Sequence, residues 1–182
     1  MNRSPLEPEY LAPLPAEIDL RLVVTDMDGT LIDGDGRVPA GLDQVVARMR
    51  EVGIIFVPAS GRQLANLRAV LGHVVDDSPL IAESGALAVH GNEEIHSDTI
   101  STEEAGAAIA TARELASSGY DVGTVVACKR CAYIERSDPA FLAQAKLYYE
   151  ALEIVDDLMA IPLDEVLKVA VFDFDDVENG SS

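Results

Sequence analysis

Two aspartates stand one residue apart, directly after an apolar segment near the start of the sequence. Asp26 and Asp28 follow Leu22-Val23-Val24, and Gly29 comes next, where it allows a sharp turn of the backbone. A carboxylate at a strand end can attack phosphorus as a nucleophile, and a second one can transfer protons to and from the reacting oxygens. Oxygen ligands of this kind also favour Mg²⁺, which offsets their repulsion of a phosphate ester. The pattern therefore indicates candidate residues for phosphoryl transfer.

Polar residues also follow the next two apolar segments. Ser60, Gly61 and Arg62 come after IIFVPA, and Glu83-Ser84-Gly85 comes after SPLIA. Ligands of an open parallel sheet bind beyond the carboxyl ends of its strands, so we expect these residues near the two aspartates. The Ser60 hydroxyl and nearby backbone N–H groups could hold a phosphoryl oxygen. For Arg62 two interpretations stay open: it contacts the substrate, or it braces its own loop.

Alternating strand and helix patterns must position these residues. Apolar runs at 20–25, 54–60 and 78–84 predict buried strands, and helical spacing over 40–53 and 61–72 predicts the helices between them. This alternation predicts βαβ units and a parallel sheet, so the fold class is α/β.

The pattern changes after Gly85. A hairpin is predicted to turn at Gly91-Asn92, and a capping box from Ser101 to Glu104 predicts the start of a helix. Two strands, a helix that begins at Asp138-Pro139 and a last strand, EVLKVAVFDF, follow. Residues from about Thr99 onward therefore indicate a separate α+β module.

Composition limits the classes of partner. The chain has 182 residues and a formal net charge of -19, which argues against nucleic acid because phosphate backbones need Lys and Arg. It has no apolar run of membrane-spanning length and no signal-peptide pattern, so we expect a soluble cytoplasmic protein without a membrane partner. Cys128 and Cys131 lack the second pair that a structural zinc site needs, and we interpret them as ordinary thiols.

Three segments resemble one family. DMDGTL at 26–31 resembles the first motif of the haloacid dehalogenase (HAD) superfamily of phosphohydrolases, and PASGR at 58–62 resembles the second. ESGALAVHGNEEI is similar to the segment that leads into the cap of Cof-type members, where asparagine is usual at the position of Ser84. The pattern after Thr99 resembles the Cof-type α/β cap.

The resemblance implies a Rossmann-like parallel-sheet core with an inserted α+β cap. It divides the chain into a flexible leader at 1–19, the N-terminal part of the core with its flap at 20–98, and the cap module at 99–182.

The resemblance also implies roles for the motif residues. Asp26 is the expected nucleophile and a Mg²⁺ ligand, and Asp28 is the expected general acid/base that binds Mg²⁺ through its backbone carbonyl. Ser60 is expected to bind the transferring phosphoryl group, together with Gly29, Gly61 and Arg62. The expected reaction is Mg²⁺-dependent hydrolysis of a small phosphorylated metabolite through a phospho-aspartyl intermediate.

Two further elements of the family are not identified in this sequence: a lysine motif and an acidic Gly-Asp-type loop. Lys168, in VLKVAVF, is expected on a cap strand rather than in the role of that lysine. VAVFDFDD repeats the Asp-x-Asp layout at Asp173 and Asp175, but no Gly-Thr follows, so we interpret it as an acidic strand end. We therefore expect a fragment, a truncated product or part of a split protein.

Without the later core strands the first strand becomes a sheet edge. Its unpaired backbone groups predict self-association or a complementing chain. Two alternative functions stay open. The first is a non-catalytic module that binds phosphate and Mg²⁺, or half of a split enzyme. The second is a sugar-phosphate phosphatase or phosphomutase on the same scaffold.

Overall fold

The computed structural model describes residues 18–174. Most of the predicted leader, residues 1–17, and the second acidic position, Asp175, lie outside the described residues. The helices are α1 (Leu42–Glu51), α2 (Leu64–Leu71), α3 (Thr102–Ser117) and α4 (Pro139–Tyr148). The strands are β1 (Leu22–Asp26), β2 (Ile55–Ala59), β3 (Pro79–Ala82), β4 (Leu87–His90), β5 (Glu93–Ser97), β6 (Val122–Cys128), β7 (Ala132–Ile134), β8 (Leu152–Ile154) and β9 (Val166–Asp173).

The first five strands form one sheet, here called the core sheet, in the order β1-β2-β3-β4-β5. β1, β2 and β3 run parallel, with Asp26 opposite Ala59 and Ala59 opposite Ile81. The predicted α/β class and parallel sheet are confirmed, because α1 and α2 lie between these strands in the chain. The register brings the ends of all three strands to the same edge of the sheet.

The predicted hairpin is confirmed at the turn between β4 and β5. His90 pairs with Glu93 across Gly91 and Asn92, and Gly91 takes a φ of 58°. A positive φ at the first central residue suits glycine in a two-residue hairpin turn. Below the core sheet, the largest apolar cluster joins Met27, Val46 and Leu67 to side chains of β2–β4. This cluster fixes the strand ends relative to one another.

The remaining strands form a second sheet, here called the cap sheet, in the order β8-β7-β6-β9. The predicted capping box of α3 is present, since Glu104 N donates to Ser101 Oγ and Ser101 N donates to Glu104 Oε2. Asp138 caps α4 by accepting from Phe141 N. Gly123 in β6 has no side chain because the buried Phe141 ring occupies the space where a Cβ would lie.

The two cysteines flank the turn between β6 and β7. Cys128 is buried, Cys131 is half-buried, and both are free thiols. Burial raises the pKa of the Cys128 thiol to about 11. A high pKa leaves little thiolate at neutral pH, which fits ordinary rather than reactive thiols.

Gln63 joins the two sheets. Its side chain is buried; Oε1 accepts from the backbone N–H groups of Glu150 and Ala151, and Nε2 donates to Ala151 O at 2.9 Å. Its own N–H donates to Tyr148 O. The segment that follows α4 is therefore held against the loop that follows β2.

The division into a core at 20–98 and a cap at 99–182 stays a prediction.

β1 is an edge strand of the core sheet formed by residues 18–174. Leu22 and Val24 on β1 and Ile55 on β2 each leave about half of their surface exposed. The predicted self-association, or pairing with a complementing chain, would act on this apolar edge. Across residues 18–174, each helix is too short or too polar to cross a membrane.

Candidate active site

The three strand ends meet at an open cavity. It has a volume of about 360 Å³ and is lined by Asp26, Ala59, Ser60, Gly61, Ile81, Ser84 and Gly85. Asp26 is the last residue of β1, and Ser60 follows the last residue of β2. The parallel register therefore brings the candidate nucleophile and the candidate phosphate-binding hydroxyl to one cavity, as the sequence predicts.

Asp28 lies on a tight turn after β1. Gly29 has a φ of 72°, a left-handed conformation that glycine adopts without strain. The N–H of Leu31 donates to the carbonyls of Asp26 and Met27, and Asp28 forms a bridge with Ile32. The buried Met27 side chain anchors the turn below. Asp26 and Asp28 are thus held on one short loop at the sheet edge.

Backbone hydrogen bonds fix the loop that carries Ser60. Ser60 N donates to Ile81 O, Ser84 N donates to Ser60 O, and Glu83 N donates to Arg62 O, each at 3.0 Å. Glu83 and Ser84 have φ values of 51° and 60°, which are left-handed and unusual for side chains other than glycine and asparagine. This conformation gives a physical reason for the asparagine that is usual at the position of Ser84.

Arg62 braces the site through both loops and α4. Its Nη2 and Nε donate to the two carboxylate oxygens of Asp28 at 2.6 and 3.0 Å. Its Nη1 donates to Asn66 Oδ1 at 2.9 Å and to Leu147 O at 2.7 Å. The structure shows bracing contacts of Arg62 that extend to the end of α4 and to the candidate acid/base, and contact with a substrate stays a prediction.

The ion pair changes the acidity of Asp28. The hydrogen bonds from Arg62 lower the pKa of the Asp28 carboxyl below its usual value, against a smaller opposing effect of burial. A lowered pKa disfavours the protonated form that a general acid needs. In this arrangement Asp28 is held as a carboxylate.

Replacing Arg62 by glutamine is expected to raise the pKa of Asp28 toward the ordinary aspartate value of about 3.9. The neutral side chain no longer stabilises the carboxylate by charge. A carbon-13 NMR titration of the Asp28 carboxyl in Arg62→Gln measures the shift. Arg68→Gln is the control, since Arg68 donates to Gly91 O away from this site. An unchanged Asp28 titration in Arg62→Gln would show that Arg62 does not set this pKa.

Lys168 reaches the same region from the cap sheet. It lies on β9, as the sequence predicts, and its ammonium donates to Gly61 O at 2.7 Å. It also lies 2.7 Å from Oε2 of Glu83, whose side chain is 1% exposed. Among the described residues neither oxygen of the Glu83 carboxylate has an aligned hydrogen-bond donor, so Lys168 is its charge partner. Burial raises the pKa of Glu83, and Lys168 opposes that rise.

A second cavity adjoins the first between the two sheets. It has a volume of about 310 Å³ and is lined by Asp28, Gly61, Arg62, Ser84, Tyr148, Tyr149, Lys168, Ala170 and Phe172. Gly61 and Ser84 belong to both cavities. The cavity at the strand ends therefore continues into a space that is lined in part by aromatic side chains.

The donors available for a metal ion are oxygen atoms. Within residues 18–174, no three His, Cys, Asp or Glu side chains come together as a metal site. Mg²⁺ retains several waters and needs only one or two protein carboxylates together with substrate oxygens. The Asp26 carboxylate and the Asp28 carbonyl fit that smaller requirement, and soft-metal chemistry does not fit this donor set.

The site residues that come from distant elements were not predicted from the sequence. Lys168, Ala170 and Phe172 alternate along β9, so they share one face of the strand and line one cavity. That alternation is visible in the sequence. Lys168, a lone cation in an apolar strand, was the signal that could have identified this face. The hydrogen bonds of Gln63 to the segment after α4 and the pairing of Glu83 with Lys168 have no comparable signal in the local sequence.

Comparison with known proteins places this geometry in a family. The sequence profile of haloacid dehalogenase-like hydrolases matches residues 23–179. The chain is 28% identical over 146 residues to 5-amino-6-(5-phospho-D-ribitylamino)uracil phosphatase YbjI of Escherichia coli K12, covering 77% of this chain and 51% of that protein. It is 32% identical over 79 residues to phosphoglycolate phosphatase of Aeropyrum pernix, covering 42% and 33%.

A solved structure shares the fold. A haloacid dehalogenase-like hydrolase from Bacteroides thetaiotaomicron superposes with a TM-score of 0.67 at 21% identity, covering 83% of this chain and 56% of that one. The chain thus spans about half the length of the first of these relatives. The matched residues include both sequence motifs and the strand ends that carry them. The chain belongs to the haloacid dehalogenase-like hydrolases, in the group of Cof-type members.

Proposed function

We propose that the chain carries the nucleophile and phosphate-binding loops of a Mg²⁺-dependent phosphatase that acts on a small phosphorylated metabolite. The observation that carries the proposal is the shared cavity of Asp26, Ser60 and Gly61 at the ends of two parallel strands. Two phosphatases that are similar in sequence are named for phosphorylated ribitylaminouracil and phosphoglycolate, both small phosphate monoesters. This supports the same class of substrate here.

Asp26 acts first in the proposed reaction. Its carboxylate oxygen attacks phosphorus, and the bond from phosphorus to the ester oxygen breaks as the bond to Asp26 forms. The Ser60 hydroxyl and the Gly61 N–H stabilise the charge on the phosphoryl oxygens. Water then attacks the phospho-aspartyl group, which releases phosphate and restores the carboxylate.

Asp28 moves the protons. It gives a proton to the leaving alcohol oxygen and later takes one from the attacking water. Both of its oxygens are bonded by Arg62 in this structure, so Asp28 must leave that ion pair before it can carry a proton. Because Arg62 is also bonded to Leu147 O, movement of α4 would be linked to this step.

Mg²⁺ would be held by the Asp26 carboxylate and the Asp28 backbone carbonyl. When bound, it supplies positive charge that offsets the repulsion between the carboxylates and a phosphate dianion. Arg62 and Lys168, which line the adjoining cavity, do not replace this charge, since they are paired with Asp28 and Glu83.

The test is hydrolysis of a generic aryl phosphate with Mg²⁺, with EDTA, and with EDTA followed by excess Mg²⁺. We expect activity only when Mg²⁺ is free, and a phosphorylated Asp26 after rapid acid quench. Activity that resists EDTA would contradict the metal requirement. Mg²⁺ binding by the folded chain without any hydrolysis would support the alternative, a non-catalytic module or half of a split enzyme.

A further inference from the structure

Resting on the proposed phosphatase activity, we propose that Lys168 is a positioning residue for the Ser60 hydroxyl. It acts through the peptide group that joins Gly61 to Arg62. The Lys168 ammonium donates to Gly61 O at 2.7 Å, and from the same peptide group Arg62 N donates to Ser60 Oγ at 3.1 Å. Two successive hydrogen bonds therefore connect a lysine of the cap sheet to the candidate phosphate-binding hydroxyl.

The backbone of Ser60 is fixed before its hydroxyl is oriented. Ser60 is 6% exposed, its N–H donates to Ile81 O, and its carbonyl accepts from Ser84 N. The remaining freedom is rotation about the Cα–Cβ bond, and the Arg62 N–H selects the rotamer whose oxygen faces it. A hydroxyl that accepts one hydrogen bond keeps its own proton to donate. Ser60 can therefore donate to a phosphoryl oxygen in the cavity that it lines with Asp26.

Lys168 strengthens this chain of hydrogen bonds. A cation that donates to a carbonyl polarises the peptide group, and hydrogen bonds in a chain strengthen one another. The Arg62 N–H is then a stronger donor to Ser60 Oγ, and the Ser60 hydroxyl is in turn a stronger donor to its own partner. The contact of Lys168 with Gly61 O therefore favours the Ser60 rotamer that binds phosphate.

Lys168 is itself held in place by buried groups. Its Nζ lies 2.7 Å from Oε2 of Glu83, whose side chain is 1% exposed, and 5.5 Å from the centroid of the Tyr149 ring. Pairing with Glu83 offsets the positive charge of Lys168, which weakens its direct attraction for a phosphate. The bond to Gly61 O is unaffected by that offset, so action through the peptide group is the stronger of the two routes.

Phosphate binding in a double-mutant cycle tests the proposal. Glu83→Gln with Lys168→Met removes one positive and one negative charge, so the net charge is kept and no buried carboxylate is left unpaired. Calorimetric titration with inorganic phosphate in Mg²⁺ should show this neutral pair binding about 3- to 10-fold more weakly than the original chain. The same two substitutions should have no effect when Ser60→Ala is also present, because the hydroxyl through which Lys168 acts is then absent.

The Arg62 amide gives a second measurement. Its nitrogen-15 signal should move upfield in the neutral pair, because its peptide group loses the polarising cation. Lys129→Met is the matched control, since Lys129 is as exposed as Lys168 but pairs with Glu94, away from this loop. It should leave both the Arg62 signal and the phosphate affinity unchanged.

Four results would overturn the positioning role. They are equal phosphate affinities in the original chain and the neutral pair, an unchanged Arg62 signal, no phosphate binding by the original chain, and a loss of affinity that persists with Ser60→Ala. The last would show that the charges act directly on phosphate. Glu83→Gln with Lys168→Leu is a second neutral pair with the same expectations, for use if the first does not fold.

The two proposals fail in different ways. Phosphate binding that depends on Lys168 only when Ser60 is present, without hydrolysis of an aryl phosphate by the original chain, supports the positioning role and refutes the phosphatase. Hydrolysis that the neutral pair retains at equal kcat/KM, with equal phosphate affinity, supports the phosphatase and overturns the positioning role.

Discussion

Replacing Asp26 by asparagine is expected to lower kcat for phosphate ester hydrolysis by roughly four orders of magnitude. The amide keeps the shape of the side chain and lacks the anionic oxygen that forms the bond to phosphorus. The N–H bonds that hold the loop involve the Asp26 carbonyl rather than its side chain, so the variant should fold. Steady-state hydrolysis of an aryl phosphate, with thermal unfolding measured in parallel, checks both expectations.

Asp173→Asn is the matched control for Asp26→Asn. Asp173 also ends a strand and begins an Asp-x-Asp pattern, but it pairs with Val122 in the cap sheet. Alternation along β9 places it on the face opposite Phe172, away from the second cavity. Its replacement should leave hydrolysis and Mg²⁺ binding unchanged. If both variants lost activity to the same degree, charge alone and not the position of Asp26 would explain the effect.

Replacing Lys168 by methionine is expected to lower the free energy of unfolding by about 3 kcal/mol at pH 7. The substitution leaves the Glu83 carboxylate buried without its cation, and removes the bond to Gly61 O. A buried unpaired charge costs more than the ion pair contributes, because water can no longer solvate it. Urea unfolding of the chain and its variant measures the difference.

The loss of unfolding free energy in Lys168→Met should increase with pH. Burial already raises the pKa of Glu83, and removing Lys168 raises it further. A carboxyl with a raised pKa in the folded state costs nothing below its pKa in the unfolded chain, about 4.3. As the pH rises above that value, the unfolded chain loses its proton first and the folded state loses stability. The difference between Lys168→Met and the original chain should therefore shrink toward pH 4 and grow toward pH 8.

Two further variants test whether the buried charge of Glu83 causes this loss of stability. Glu83→Gln in the Lys168→Met background should recover most of the loss and remove its pH dependence, because the buried charge is gone. Lys129→Met should have little effect at any pH, since Lys129 is as exposed as Lys168 while its partner Glu94 lies in solvent. A loss in Lys168→Met that is equal at pH 4 and pH 8 would exclude the buried charge as its cause.

The sequence predicts the elements and the site loops because these depend on local patterns. Apolar runs and helical spacing gave β1–β3 with α1 and α2, and strand-end chemistry placed Asp26 with Ser60. A parallel sheet brings such strand ends together whatever packs around them, so the local pattern was sufficient there.

The contacts between the sheets could not be predicted in the same way. Lys168 and Gly61 are 107 positions apart along the chain, and Arg62 and Leu147 are 85 apart. Lys168 was placed on the correct strand, but what that strand faces depends on how the cap sheet packs. The left-handed backbone at Glu83 also escaped prediction, because the segment SPLIAES has the pattern of a strand up to Ser84.

The side of β1 that no strand of residues 18–174 covers could be used to control the site. Strands that pair in parallel all end at the same edge of a sheet, about 4.8 Å from one another. A strand added in parallel to β1 would therefore bring its last residues beside Asp26, whereas an antiparallel one would bring its first residues there. Extension of the sheet and delivery of new side chains to the nucleophile would be a single event. Pairing of a strand with this edge would then determine whether the reaction at Asp26 can take place.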